Sequence, residues 1–383
     1  MSRKKIVAFI SLASCLICTY PSYSELEQDV LQKKCLEYYN LSGKKILPMC
    51  KDLINPNGTL KDLKKIQLEK VKKEIEKKKK EEDLKKAEEE LLIQKRQIEE
   101  EKLKEEQKKQ QYEKEQSLKE IENRKKLFAS AIEKHNLVYV EGGTFIMGNI
   151  LGSGKKDEIP AHSVTLNSFY IGKYEVTQKE MEEAVGISKS TFKGSELPLD
   201  TFSWNDSIKI CNVISKVEGL PVAYDSNGNF LDENGNITTD TKQVKGYRLP
   251  TEAEWEFAAK GGKKSNPKPF LYSGSNEIDD VAWYNGNSTQ TNSSGTKKPN
   301  ELGIFDMSGN VYEWCSDWYS EDFYSSSSAE NPYNSKTNTR RVLRGGAWSY
   351  DKDLATNFAR MKSKPENKLS GTGFRLAITK PNL

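Results

Sequence analysis

The chain has 383 residues, with 60 Lys and Arg against 56 Asp and Glu and a formal net charge of +4. Single hydrophobic cores usually stop growing at about 250 to 300 residues, so this length predicts two domains or one domain with an appendage. The nearly balanced charge argues against a cationic surface suited to nucleic acid. We therefore expect no nucleic-acid partner.

The N-terminus has the features of an export signal. Basic residues beginning at Arg3 precede an apolar run, Ile6–Thr19, that is too short to span a bilayer. Small residues three and one positions before Glu25 predict a signal peptide over residues 1–24. Alternatively, Leu12–Cys15 resembles a lipobox, and a lipoprotein signal would end before Cys15. In a third alternative the segment stays uncleaved and tethers the chain. We expect an exported protein, periplasmic or associated with the cell envelope, that contacts membrane only through such an anchor.

Cleavage before Glu25 leaves four cysteines. Cys35 and Cys50 lie in a small N-terminal unit, residues 25–59, that ends in a turn-rich segment. A bond between them would contribute roughly 3 kcal/mol by loop closure, although spacing alone does not establish the pairing. We expect Cys211 and Cys315 to be buried thiols that pack as small hydrophobic side chains.

Residues 60–136 form a Lys/Glu-rich segment without Pro or Gly up to Lys134, which predicts one long helix. Leu84, Leu91 and Ile98 recur at seven-residue intervals, as in a coiled coil, but Lys77–Asp83 contains no apolar residue. A coiled coil, a solvated single helix and a disordered charged linker therefore all remain open. As a helix, some 70 residues would extend roughly 100 Å, which favours the role of a spacer.

A globular domain is predicted over residues 137–383. Leu137–Val140 and the glycines that follow it indicate a strand and a turn. Trp204–Val217 has the apolar spacing of an amphipathic helix. Pro250 or Thr251, followed by acidic residues and then by Trp255 and Phe257, indicates the start of another.

Five motifs follow one another along this domain. They are FYIGKYEVT (Phe169–Thr177), YRLPTEAEWEFAAKGG (Tyr247–Gly262), NELGIFDMSGNVYEWCSDW (Asn300–Trp318), RVLRGGAW (Arg341–Trp348) and GFR (Gly373–Arg375). In this order they resemble the formylglycine-generating enzyme family, also called sulfatase-modifying factors. The resemblance implies an α+β domain of C-type-lectin-like sulfatase-modifying-factor fold with long loops, here preceded by the long charged helix.

The resemblance also implies a structural calcium site. Family members that bind calcium supply ligands at the positions that match the Asp306 and Glu313 carboxylates and the Gly309 and Val311 carbonyls. Oxygen ligands of this kind suit Ca²⁺. In the alternative, Glu313 only satisfies N–H groups of its loop. A second calcium loop of the family, expected near Trp283–Gly295, has no recognisable match.

The sequence departs from the family at the catalytic cysteines. Oxidising members carry two cysteines, five residues apart, after the glycines of the fourth motif, where thiolates bind Cu(I). The matching positions here are Tyr350 and Ala355, and no cysteine follows Cys315. The serine that usually follows the glycines is Ala347. We therefore expect neither copper binding nor formylglycine synthesis.

No other catalytic motif is evident. His135 and His162 are the only histidines, and they lie far apart along the chain, which argues against a three-histidine metal site. Phosphate-binding loops and nucleophile elbows are also missing from the sequence. An acid–base site built from Asp, Glu, Tyr and Arg stays open.

Three functions are compatible with these features. The first is a binding or scaffolding module for an envelope peptide, protein or glycan, projected on the helical spacer. Its candidate groove residues, which alternatively pack in the core, are Trp348, Tyr350, Arg360 and Arg375. The second is an extracytoplasmic maturation enzyme of the same family that uses chemistry without cysteine. The third, a remote alternative, is a copper-dependent formylglycine-generating oxidoreductase.

Overall fold

The computed structural model describes residues 25–41, 50, 51, 53–57, 59, 62–152, 154–186, 190–265 and 269–380. The predicted signal peptide and the lipobox alternative at Cys15 lie outside these residues. Among the helices that are described, none is both long and apolar enough to cross a membrane. The chain divides into two compact units, Met1–Tyr112 and Glu113–Leu383.

The first unit contains helix α1 (Glu25–Leu41) and a small disulfide-linked core. Cys35 and Cys50 form the disulfide whose pairing the spacing left open, with their Cα atoms 5.8 Å apart. Tyr39 and Ile54 are buried against it, and the Tyr39 hydroxyl donates to the Pro56 carbonyl at 3.2 Å. The disulfide therefore joins α1 to the turn-rich segment that precedes the long helix.

The predicted long helix is confirmed as α2, Leu63–Lys134. Its heptad residues Leu84, Leu91 and Ile98 each expose more than half of their surface, at 62%, 51% and 53%. Ion pairs with i, i+4 spacing, such as Lys77–Glu81 at 3.9 Å, lie along its surface. Such pairs stabilise a solvated helix, while the coiled coil stays a prediction.

The last turns of α2 belong to the second unit. Phe128 packs edge-on against Tyr170 with ring centroids 5.3 Å apart, and Ala131 is buried in the main core. Lys134 forms an ion pair with Glu218 at 2.8 Å. The globular unit therefore begins upstream of Leu137. The change in composition alone predicts a start at Leu137.

The strands of the second unit are short, and in the described residues they form three sheets. β1 (Leu137–Val140), β4 (Phe169–Gly172) and β9 (Ala377–Thr379) form an antiparallel sheet in the order β1-β4-β9. β2 (Thr144–Met147) and β3 (His162–Thr165) form an antiparallel pair. The third sheet consists of β5 (Tyr312–Trp318), β6 (Arg341–Arg344), β7 (Met361–Ser363) and β8 (Thr372–Gly373). Its strand order is β7-β6-β5-β8, and only β8 is parallel to its neighbour.

The helices of this unit begin with reciprocal capping boxes wherever they exceed one turn. Thr177, Ser203 and Thr251 cap α3 (Gln178–Val185), α4 (Trp204–Val217) and α5 (Glu252–Ala259), and each is paired with an acidic residue three positions later. The bounds of α4 and the start of α5 agree with the sequence prediction. Two single-turn helices follow, α6 (Ile278–Val281) and α7 (Phe323–Ser326).

Helix α5 is buried along its whole length, although three of its eight residues are glutamates. Each carboxylate is paired with a buried guanidinium from outside the helix, because an unpaired charge in the interior would be very costly. The pairs are Glu252–Arg360, Glu254–Arg248 and Glu256–Arg344, with N–O distances of 2.7, 2.6 and 2.6 Å. These pairs join α5 to β6 and to the segment before β7.

The substitution Glu256→Gln tests this arrangement. It leaves Arg344 short of one buried counter-charge, so we expect the free energy of unfolding to fall by about 3 kcal/mol. The measurement is the urea midpoint followed by tryptophan fluorescence. Glu122→Gln, in the exposed pair with Lys126, is the matched control and should leave the midpoint unchanged. Equal shifts of the urea midpoint in both variants would contradict the stabilising role of the buried ion pairs on α5.

Candidate functional site

The loop that follows β6 carries Tyr350 and Ala355, the two positions that the family resemblance matches to the cysteines of oxidising members. Gly346 has φ +78, and a Cβ atom there would lie 3.0 Å from the Ala355 Cα, so only glycine allows this close approach. Ala355 is 1% exposed. Tyr350 is half-buried, and its N–H donates to the Ala347 carbonyl at 3.0 Å. The loop therefore buries the methyl group and presents the phenol ring.

Three half-exposed aromatic residues lie around this loop, and we call Phe192, Trp348 and Tyr350 the aromatic surface. Phe192 meets Trp348 edge-on, with ring centroids 5.5 Å apart. Tyr350 meets the buried ring of Tyr312 edge-on at 5.0 Å. Two predicted groove residues, Trp348 and Tyr350, are thus both partly open to solvent.

Two donors beside the aromatic surface lack partners among the described residues. They are the Tyr312 hydroxyl and the Trp348 Nε1, and both atoms are buried. Gly371 lies beside both residues, because its carbonyl accepts from Tyr312 N–H at 2.8 Å and a Cβ there would lie 3.1 Å from Trp348 Nε1. A buried donor without a partner costs about 1 to 3 kcal/mol, so an acceptor that reached these covered atoms would be bound favourably.

The other two predicted groove residues are corrected by the structure. Arg360 is 3% exposed, and its Nε and Nη2 donate to the Glu252 carboxylate at 2.7 and 2.8 Å. Arg375 is fully buried, and its guanidinium donates to Glu313. Both side chains hold internal ion pairs and are closed to a ligand. The sequence showed their charge but did not reveal their partners.

The carboxylates of the predicted calcium site lie in one buried cluster. Asp306 accepts from Gly295 N–H through Oδ2 at 2.6 Å, while its buried Oδ1 lacks a partner among the described residues. Glu313 accepts from Trp255 Nε1 at 2.7 Å and from Arg375. A carboxylate has about four lone-pair positions, so Glu313 keeps room for another contact. The unpaired oxygen of Asp306 fits a cation ligand.

Glu175, which the sequence analysis did not single out, completes this cluster. It accepts from Val311 N–H at 3.0 Å and from Asn310 Nδ2 at 2.7 Å. Burial raises the pKa of Glu175 well above its usual value, and the neighbouring Asp306 and Glu313 charges raise it further. The signal was present as an acidic residue inside the apolar first motif. Its partners lie about 135 positions away and could not be read from that motif.

The cluster has a surplus of potential negative charge. Burial raises the pKa of Asp306 to about 6, although the N–H of Gly295 and the charge of Arg375 act in the opposite direction. With Glu175 and Glu313, three buried carboxylates face the guanidinium of Arg375. Among the described residues, no group of three His, Cys, Asp or Glu side chains is arranged to hold a metal ion. A cation here would therefore need carbonyl ligands as well.

Both histidines have structural partners. His162 is half-buried, and its ring nitrogens lie 3.0 Å from the Pro160 carbonyl and 3.0 Å from Ser327 Oγ. His135 is buried at the end of α2, close to Glu218. The two residues therefore do not combine into one site.

The fold and the motif-bearing loops define a C-type-lectin-like α+β domain. A family model described as the sulfatase-modifying factor enzyme 1-like domain matches residues 124–380, and the chain belongs to this family. The predicted family and fold are thus confirmed. The matched range includes the last turns of α2, in agreement with their packing on the domain.

Several relatives are similar to this chain. Chaperone protein LppX of Paenibacillus barcinonensis is 42% identical over 239 residues, which cover 56% of this chain and 78% of the relative. Formylglycine-generating enzyme of Streptomyces coelicolor is 27% identical over 280 residues, which cover 63% of this chain and 88% of the enzyme. The solved structure of Treponema denticola variable protein 1 has 30% identity and a TM-score of 0.55, covering 64% of this chain and 95% of that one.

The cysteines of the domain give a second testable prediction. Cys211 and Cys315 are fully buried, and burial raises the pKa of both thiols. Because the thiolate is the reactive form, both should resist alkylation in the native protein. Peptide mapping after iodoacetamide treatment should show them unmodified natively and modified in guanidinium chloride. Native alkylation as fast as that of glutathione would contradict this placement.

Proposed function

We propose that this chain is an exported binding module of the sulfatase-modifying factor family that does not synthesise formylglycine. The observation that carries the proposal is the aromatic surface, which lies beside two unpaired buried donors and includes Tyr350, one of the two positions matched to the family's cysteines. Aromatic side chains contribute strongly to recognition, because they bury large area at a small entropic cost. The relative LppX is named a chaperone protein, which supports a binding role.

The side chains at the two matched positions do not suit formylglycine synthesis. Cu(I) requires soft ligands, and neither the phenol of Tyr350 nor the methyl group of Ala355 is one. The thiols of Cys211 and Cys315 are enclosed in the core and do not substitute for an accessible pair. We therefore propose a domain without copper.

The ligand class follows from the surface itself. Half-buried rings offer surface for stacking, and a ligand oxygen that displaced the cover over the Tyr312 hydroxyl and Trp348 Nε1 would accept hydrogen bonds from them. Peptide carbonyls and sugar hydroxyls both provide such acceptors. We propose a peptide, protein or glycan of the cell envelope as the ligand.

Export and presentation on a spacer are part of the same proposal. The Cys35–Cys50 disulfide supports export, because disulfides persist in oxidising compartments outside the cytoplasm. The solvated helix α2 supports a spacer role, because its charged surface needs no partner to remain soluble. Attachment through lipid or through an uncleaved signal would be compatible with both features.

We further propose a structural calcium ion at the buried carboxylate cluster. Asp306 and Glu313 would supply carboxylate oxygens, and Gly309 and Val311 would supply carbonyls. Asp306 and Gly309 have left-handed backbone conformations, with φ of +55 and +84. They form the tight turn that such a site needs. The ion would offset the negative charge that raises the pKa of Glu175. Its role would be to hold the loop before β5.

Calcium should stabilise the wild-type protein. At a free concentration of roughly 100 times Kd, binding adds about 2.7 kcal/mol, or roughly 5 to 10 °C in Tm for a domain of this size. Asp306→Asn should abolish this shift in Tm, because a neutral amide oxygen binds calcium more weakly than a carboxylate oxygen does. Asp232→Asn, in an exposed turn, is the control and should keep it. A wild-type Tm that does not respond to calcium or to a chelator would refute the site.

Binding arrays test the proposed function directly. Purified wild-type protein is applied to glycan and peptide arrays beside Trp348→Ala and Tyr350→Ala. Loss of an aromatic hot spot typically costs about 2 kcal/mol or more, so binding should weaken roughly 30-fold. Tyr112→Ala removes an exposed aromatic of α2 and should bind like the wild type. Identical binding by all four proteins would place recognition away from the aromatic surface.

A further inference from the structure

A buried histidine lies where α2 enters the domain. His135 directly follows α2 and is 5% exposed. Its Nε2 lies 2.8 Å from a carboxylate oxygen of Glu218, and its Nδ1 lies 3.6 Å from a carboxylate oxygen of Glu180. Glu218 is the C-cap of α4 and Glu180 lies in α3, so His135 joins three helices.

Other charged and titratable groups surround this pair of carboxylates. Lys134 Nζ lies 2.8 Å from Glu218 Oε1, and the Tyr247 hydroxyl donates to Glu218 Oε2 at 2.6 Å. The Tyr247 ring also packs edge-on against His135, with centroids 5.0 Å apart. Lys173, which follows β4, holds its ammonium group over the rings of Tyr174 and Phe305. Glu218 therefore keeps other donors when His135 changes its charge, and Glu180 keeps the Thr177 N–H and hydroxyl of the α3 cap but loses the positive charge that faces it.

The protonation state decides how many carboxylates the imidazole serves. A neutral imidazole carries one N–H donor, so it serves Glu218 or Glu180 but not both. The imidazolium carries two donors and a positive charge. Burial lowers the pKa of His135, but the hydrogen bond to Glu218 and the negative charges of Glu180 and Glu218 raise it more, and the net shift is upward. Burial raises the pKa of Glu218, while its three donors together lower it to about 2.

The sign of the effect on stability follows by linkage. Because the pKa of His135 is raised in the folded protein, its contribution to stability is complete below the ordinary pKa of 6.5. This contribution is lost as the pH rises through the pKa of the folded protein. The lowered pKa of Glu218 means that its contribution is complete above 4.5 and is lost as pH falls towards 2. The contacts at this junction are therefore strongest between about pH 4.5 and 6.5, and they weaken above that range.

We propose that His135 is a pH-sensitive latch that holds the last turns of α2 on the domain, closed when the imidazole is protonated and loosened when it loses its proton. Loosening stops short of release, because the contact of Phe128 with Tyr170 and the ion pair of Arg124 with Glu233 do not involve His135. The latch would make the attachment of the spacer helix respond to pH around neutrality.

Hydrogen exchange of residues 124–134 in the full-length chain tests the latch. Exchange is measured at pH 6 and pH 8.5 and corrected for the intrinsic pH dependence of the amides. We expect the opening constant of the wild type to be larger at pH 8.5 than at pH 6. The increase should be roughly tenfold for each unit by which the pKa of His135 in the folded protein exceeds its ordinary value. Protection in β5 should stay constant, because the effect is local. A corrected opening constant that is the same at both pH values would overturn the proposal.

Two variants separate the latch from a general effect of pH. Glu180→Gln keeps an oxygen for the cap of α3 but removes the negative charge that faces His135 Nδ1. The rise of the opening constant between pH 6 and pH 8.5 should therefore be several-fold smaller in this variant. Glu182→Gln, exposed on the same helix, should behave like the wild type. His135→Gln should abolish the rise, and if this variant does not fold, Glu180→Gln alone decides. An undiminished rise in Glu180→Gln would overturn the proposal.

Discussion

The pairing of buried glutamates with buried arginines is the constraint on which the domain depends. Its strands have two to seven residues and its loops are long, so regular hydrogen bonding fixes only part of the chain. Arg248, Arg344, Arg360 and Arg375 are each at most 3% exposed, and each donates to a glutamate on another element or loop. Leaving any of these charges unpaired would be costly, so the ion pairs hold distant loops in one arrangement.

This constraint also positions the candidate site. Arg344 ends β6 and Arg360 precedes β7, and both pair with α5. The loop between these two anchors carries the aromatic residues Trp348 and Tyr350, and its two ends are fixed by buried charges. The residues that anchor the loop are thus different from those that it exposes to solvent. Relatives named as an enzyme and as a chaperone are in keeping with such separation of scaffold and function.

Much of the fold could be predicted from the sequence, because its signals are local. Thr251 with Glu254 three positions later indicated the start of α5, and the absence of Pro and Gly indicated α2. Pairings between distant residues carried no such signal. Arg360 and Arg375 were predicted as groove residues because their charge suggested recognition, and Glu175 was overlooked. A sequence displays charge but not burial, and the partners of these residues lie 62 to 136 positions away.

The central claim is that the aromatic surface has replaced copper chemistry at this site. Incubation of the wild-type protein with Cu(I), oxygen and a cysteine-containing sulfatase peptide tests it most directly, with the aldehyde product detected by mass spectrometry. A formylglycine-generating enzyme with its cysteine pair serves as the positive control. The account predicts unchanged peptide with this protein and aldehyde with the control. Catalytic turnover by this protein would contradict the account.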